Sequence, residues 1–121
     1  MSSHFLRTSD LTAGERLVVA RRRDDMTQAR AADLAGVNRM RYSRWESDVY
    51  ADQPHVVLGP LALHEQLYIL RRRAGISRNE IADEIGCSRS WVTDMEWGRG
   101  TTQRLVDYWR DRVARRPQRR S

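Results

Sequence analysis

The chain contains no lysine: all 22 of its basic residues are arginine. Guanidinium forks suit phosphate oxygens and guanine edges, although a GC-rich genome leaves the same bias. One cysteine, Cys87, excludes an internal disulfide. It and the three histidines (His4, His55, His64) are scattered without metal-ligand spacing, so no metal and no cofactor is expected. There is no Gly-rich phosphate loop and no nucleophile elbow, so the chain reads as a non-enzyme without catalytic residues. No apolar run approaches the ~18 residues of a membrane span, and the opening MSSHFLRTSD lacks the apolar core of a signal peptide. The expectation is a cytoplasmic protein with no membrane partner.

What is present is positive charge and a repeat. The 121 residues carry a net charge of +6, which favours a polyanion as partner, most often nucleic acid. The charge is uneven. Residues 15–50 hold eight arginines against six acids, residues 65–100 six against six, and residues 101–121 seven against two. Setting residues 21–46 over 71–96, at an offset of fifty and without a gap, aligns Arg21/Arg71, Arg22/Arg72, Arg23/Arg73, Ala32/Ala82, Asp33/Asp83, Gly36/Gly86, Arg39/Arg89 and Glu46/Glu96. Two units are too few for a solenoid, so the pattern reads as a tandem duplication of one module of about 35 residues.

Each unit carries helix punctuation. Thr12-Ala13-Gly14-Glu15 and Ser77-Arg78-Asn79-Glu80 are capping boxes. Thr27 is the matching cap in the first unit without the Glu, and Asn38 and Ser88 cap a third helix in each copy. The spacing predicts helices near 13–24, 28–34 and 39–47, with copies over 78–84 and 89–97. The triplet Arg21-Arg22-Arg23 at the first helix end suits the C-terminal dipole. Gly36 and Gly86 fit a tight turn that needs positive φ. Tyr42 and Trp45, like Val92 and Met95, lie three apart and should pack inward, which leaves Arg39, Met40, Arg41, Ser43 and Arg44 outward, and Arg89, Ser90, Trp91, Thr93 and Asp94 in the copy. A final helix is expected over about 102–116, capped by Thr101 or Thr102, stopped by Pro117, with Leu105, Trp109 and Val113 as its apolar stripe.

Two short helices about a tight glycine turn form a helix-turn-helix, and both units resemble the lambda-repressor/Cro-type (XRE-like) helix-turn-helix family. Thr27, Gln28, Ala32, Gly36, Val37, Asn38, Ser43, Trp45 and Glu46 match its pattern in the first unit. Ser77, Ile81, Ala82, Gly86, Ser88, Val92, Thr93, Glu96 and Gly98 match it in the second. The resemblance covers about 70 of the 121 residues. It implies an all-α fold of two tandem helix-turn-helix units, about three helices each, plus a C-terminal helix. The expected organisation is a disordered arm over 1–11, units over 12–50 and 60–100, a linker over 51–59 broken by Pro54 and Pro60, and a C-terminal helix with a basic tail over 101–121.

It also implies double-stranded DNA as partner. Helices 39–47 and 89–97 would enter major grooves, with Arg39, Met40, Arg41, Ser43 and Arg44 facing the bases or phosphates in one unit and Arg89, Ser90, Trp91 and Thr93 in the other. Thr27 and Gln28 would hold phosphate at the second helix's N-terminus, as would Ser77 and Arg78 in the copy, where arginine stands in place of the family's glutamine. The function implied is a sequence-specific transcriptional regulator, a repressor of phage or mobile-element type. The competing reading is a protein-interaction adaptor or anti-repressor of the same fold, with a homodimer or protein partner held through Trp91, Trp97 or Trp109. Segment Val49–Gly59, extended, would reach ~36–40 Å, against the ~34 Å between half-sites.

Overall fold

A computed structural model describes residues 5–115. Among them the chain forms seven α-helices and a 3-10 turn at Thr8–Asp10, with no strand. The helices are α1 (Ala13–Arg23), α2 (Gln28–Ala35), α3 (Arg39–Glu46), α4 (Leu63–Ala74), α5 (Arg78–Ile85), α6 (Arg89–Glu96) and α7 (Gln103–Ala114). Helices α2 and α3 recur fifty residues later as α5 and α6 with identical bounds. The left-handed backbone positions recur in the same register: Asp25 and Gly75, Gly36 and Gly86, Asp48 and Gly98.

The helix starts are where the side-chain chemistry puts them. Thr12 Oγ1 accepts from Glu15 N (3.1 Å) while Glu15 Oε1 accepts from Thr12 N (3.0 Å), so both halves of a capping box close α1. At α4 the cap is Ala62, which has no side-chain acceptor. Only the return half forms, from Ala62 N to Glu65 Oε1 at 2.9 Å. Gly36 and Gly86, at φ 74° and 86°, end α2 and α5 in the left-handed conformation that admits glycine without a Cβ clash.

Backbone contacts divide the chain into an N-terminal unit of residues 6–61 and a C-terminal unit that takes in Phe5 and residues from 62 onward. In the N-terminal unit, α3 packs on both α1 and α2 around Leu17, Ala31, Ala32, Tyr42 and Trp45. In the C-terminal unit, α6 packs on α4 and α5, and α7 covers α4 and α5. Its core holds Leu67, Ile81, Ala82, Val92, Met95, Leu105, Val106 and Trp109. Large side chains buried this completely each contribute about 1.5–3 kcal/mol, so α7 is a structural part of its unit.

Three segments differ from the sequence expectation. Residues 5–11, expected to be a disordered arm, are ordered: Leu6 and Leu11 are buried, and Phe5 N donates to Gln66 Oε1 (2.7 Å) within the C-terminal unit. Residues 51–59 are not a free linker. Tyr50 and Val56 pack on the N-terminal core, Thr8 Oγ1 donates to Gly59 O (2.8 Å) and Arg23 to Pro60 O (3.0 Å). The prolines stop helix formation but leave carbonyls and side chains to bind along the unit as a strap. In α7 the buried stripe is Leu105, Val106 and Trp109, whereas Val113 is exposed, because the helix runs past its partners before that turn. Thr102 sits at its N-cap, and the cap hydrogen bond goes to the Thr101 hydroxyl from Gln103 N (3.3 Å). Pro117 and the basic tail beyond residue 115 lie outside the described residues.

Candidate nucleic-acid interface

Each unit braces its third helix with the same ion pair. Arg21 Nε meets Glu46 Oε2 at 2.6 Å and its Nη2 meets Oε1 at 3.2 Å, while Nη1 donates to Met26 O. Fifty residues on, Arg71 Nε meets Glu96 Oε2 at 2.7 Å and Nη1 donates to Ile76 O. Both glutamates are almost wholly buried. The arginine fork therefore ties together the end of the first helix, the loop after it and the end of the third. Burial, followed by the neighbouring Glu46 charge, pushes the Tyr42 hydroxyl up to about 12, so this core phenol stays neutral beside the pair.

The same buried carboxylates engage Gln28 and Arg78, the two residues placed on phosphate by the sequence. Gln28 Nε2 donates to Glu46 Oε1 (2.8 Å) and Arg78 Nε to Glu96 Oε1 (3.3 Å). Arg78 keeps its terminal nitrogens for another acceptor; Gln28 keeps only its carbonyl and one amide proton. Thr27 and Ser77 act as N-caps, accepting from Arg30 N and Glu80 N at 3.1 Å each. The two helix N-termini differ in charge. Glu80 folds back on Ser77 N (2.8 Å) and opposes an anion there. The matching position at α2 is the exposed Arg30, which joins the positive helix end in favouring one.

On α3, Arg39 and Met40 stand exposed at the N-terminal turn, and Ser43 is half-buried. Arg41 and Arg44 face outward but are held by the strap. Arg41 pairs with the Asp52 carboxylate and lies 5.1 Å from the Tyr50 ring centroid. Arg44 Nη1 donates to Tyr50 Oη at 3.0 Å. On α6, Arg89 and Ser90 stand exposed in the corresponding places. Trp91 is turned back: it is half-buried against its own core, and the Arg104 guanidinium lies 4.5 Å from its ring centroid. Thr93 Oγ1 donates to Arg89 O in the preceding turn (3.2 Å) and so is occupied locally. Asp94 pairs with Arg99 at 3.2 Å.

Of the tryptophans expected as partner anchors, Trp109 is 3% exposed and belongs to the core. Trp97 is half-buried with Arg99 5.8 Å from its ring. Each unit thus exposes the N-terminus of its third helix, Arg39-Met40 in one and Arg89-Ser90 in the other, flanked by arginines whose direction a second side chain sets. Sequence reasoning missed Tyr50, Asp52, Arg99 and Arg104, because each acts from a segment outside the repeat. No cluster of metal-ligating side chains occurs among the described residues.

Residues 62–108 match the family model described as a helix-turn-helix domain. No curated protein and no solved structure matches the chain. The match falls on the C-terminal unit and spans α4, α5, the Gly86 turn, α6 and the start of α7. A helix-turn-helix domain with this exposed, arginine-bearing second helix points to a DNA-binding regulator.

Proposed function

We propose that the chain is a sequence-specific regulator of transcription that binds double-stranded DNA, a repressor of the kind used by phages and mobile elements. It reads major grooves with α3 and α6 as two tandem units of lambda-repressor/Cro type. The observation that carries this reading is the match of residues 62–108 to a helix-turn-helix domain, together with Arg89 and Ser90 exposed at the first turn of its second helix. That first turn is the part of such a helix that reaches base edges. The N-terminal unit supports the same role: its α2 and α3 have the bounds of α5 and α6 at an offset of fifty, it repeats the buried Arg–Glu brace, and it presents Arg39 and Met40 where the copy presents Arg89 and Ser90.

The two reading faces differ. One offers Arg39, Met40, Arg41 and Arg44, the other Arg89, Ser90 and Asp94. The preferred site is therefore asymmetric, with guanine favoured opposite Arg39 and Arg89. An adaptor that docks a protein through its tryptophans is the weaker reading, because Trp109 is core and Trp91 is occupied by Arg104. Selection of duplexes from a random pool by the whole chain, followed by binding at two salt concentrations, tests the proposal. Enrichment of one asymmetric sequence is expected, with log K falling linearly in log salt. A chain that retains no duplex at low salt would sink it, and a perfectly palindromic consensus would remove the two-faced reading.

A further inference from the structure

We propose that Tyr50 and Asp52 form a specificity clamp on α3: they hold Arg41 and Arg44 in fixed positions and withhold their charge from indiscriminate phosphate contact. This rests on the reading of α3 as a DNA-reading helix. The carboxylate that takes Arg41 is not a loose surface group. Its other oxygen accepts from the indole Nε1 of Trp45 at 3.0 Å, and Trp45 is buried in the N-terminal core. The same strap is pinned on both sides of Asp52. Gln53 Nε2 donates to Trp45 O (3.4 Å) and Asp48 Oδ1 (3.1 Å), and Tyr50 and Val56 pack on the core. The indole hydrogen bond, with Arg41 after it, holds the Asp52 carboxyl below the usual carboxylate range, so the negative charge facing Arg41 is present at neutral pH.

The other unit clamps the same two positions with the polarity reversed. Position 91 is the aromatic and the arginine comes from the following segment, Arg104 at 4.5 Å. Position 94 is the acid and its arginine is Arg99 at 3.2 Å. In the N-terminal unit the helix supplies the arginines and the following segment the aromatic and the acid. An arginine held by a carboxylate and an aromatic face has few orientations left. It can make a directed contact with a base edge but gains less from a wandering phosphate.

The test compares the whole wild-type chain with Asp52→Asn and Tyr50→Phe on two duplexes, one selected from the random pool and one of scrambled sequence, across a salt series. Asp24→Asn makes the same charge change at the exposed end of α1 and serves as control. The clamp predicts that Asp52→Asn raises affinity for the scrambled duplex several-fold and steepens its salt slope by about 0.9, the effect of the one additional phosphate that a released Arg41 neutralises. The preference for the selected duplex falls, while Asp24→Asn changes neither. Tyr50→Phe keeps the packed ring, so it serves should the other variant fail to fold; freeing Arg44 alone, it is expected to lower the preference by a smaller factor. Folded variants with the wild-type slope and preference would overturn the clamp and leave the DNA reading intact. A wild-type chain that binds neither duplex would overturn both.

Discussion

Side-chain chemistry makes the two units comparable residue by residue, and Glu46 and Glu96 show it best. Both glutamates and their arginines are visible in the sequence as identities of the repeat, yet nothing in the local spacing says that Arg21 meets Glu46 across 25 residues. The dipole reading of Arg21-Arg22-Arg23 is local, whereas the bond is tertiary. Removing one partner of a buried pair strands the other charge, at a cost of about 3–5 kcal/mol. Glu46→Ala is therefore expected to lower the stability of the N-terminal unit and Glu96→Ala that of the C-terminal unit. Urea unfolding followed by tryptophan fluorescence reads this, and a midpoint unchanged in either variant contradicts it. A second pair has changed sides between the copies. A Cβ on Gly14 would lie 2.5 Å from Glu46 O, and Asp48 opposite it accepts from Gly14 N at 2.9 Å. At the matching place in the other unit the bulky partner is His64, and a Cβ on Gly98 would lie 2.8 Å from its Nδ1. Gly98→Asp alone is expected to destabilise, and adding His64→Gly to recover about 1–2 kcal/mol, the coupling typical of touching residues. Additive effects in the double-mutant cycle would show that the sites do not exchange.

Helices are largely legible in the sequence and the connecting strap is not, for a physical reason. Caps, left-handed glycines and a three-residue apolar spacing act within one turn, so α2, α3, α5 and α6 fall within a residue of their expected bounds. A proline-broken segment such as 51–59 has no period of its own. What orders it is Trp45, a residue whose indole donor needs an acceptor once buried, and no pattern within the segment points to that partner. The Val113 error has the same origin, since helical spacing tells which residues share a face but not where the neighbouring helix ends. Asp52 supplies a pH signature for the strap. Its folded pKa lies below the unfolded value, so its contribution is present above the unfolded pKa, about 3.9, and is lost as pH falls through the lowered folded value. The Trp45 indole proton resonance is therefore expected to hold still from pH 7 to 5 and to move only below about pH 4. Movement between pH 7 and 5 would mean that the carboxylate is not held as the structure has it.

For the whole molecule the question is whether two reading faces act on one duplex. The sequence places more arginine on α3 than on α6, but the structure evens the two faces. Arg41 and Arg44 are tied to the strap, while Arg99 and Arg104 stand beside α6, so each unit is left with one freely exposed arginine at the first turn, Arg39 or Arg89. If both units contact DNA, Arg39→Ala and Arg89→Ala each cost about 1–3 kcal/mol on the selected duplex, the discrimination carried by one bidentate guanine contact. Each would also relax sequence preference at a single, different position. The double variant would then lose close to the sum, because the two arginines belong to different units. Equilibrium binding of the four proteins to the selected duplex and to its single-base variants reads all of this. If Arg89→Ala matters and Arg39→Ala does not, only the unit that matches the helix-turn-helix family reads the groove, and the N-terminal unit serves another purpose. If each loss instead appears at two base pairs related by a dyad, two copies of the chain occupy the site, and the preferred sequence would have to be symmetric.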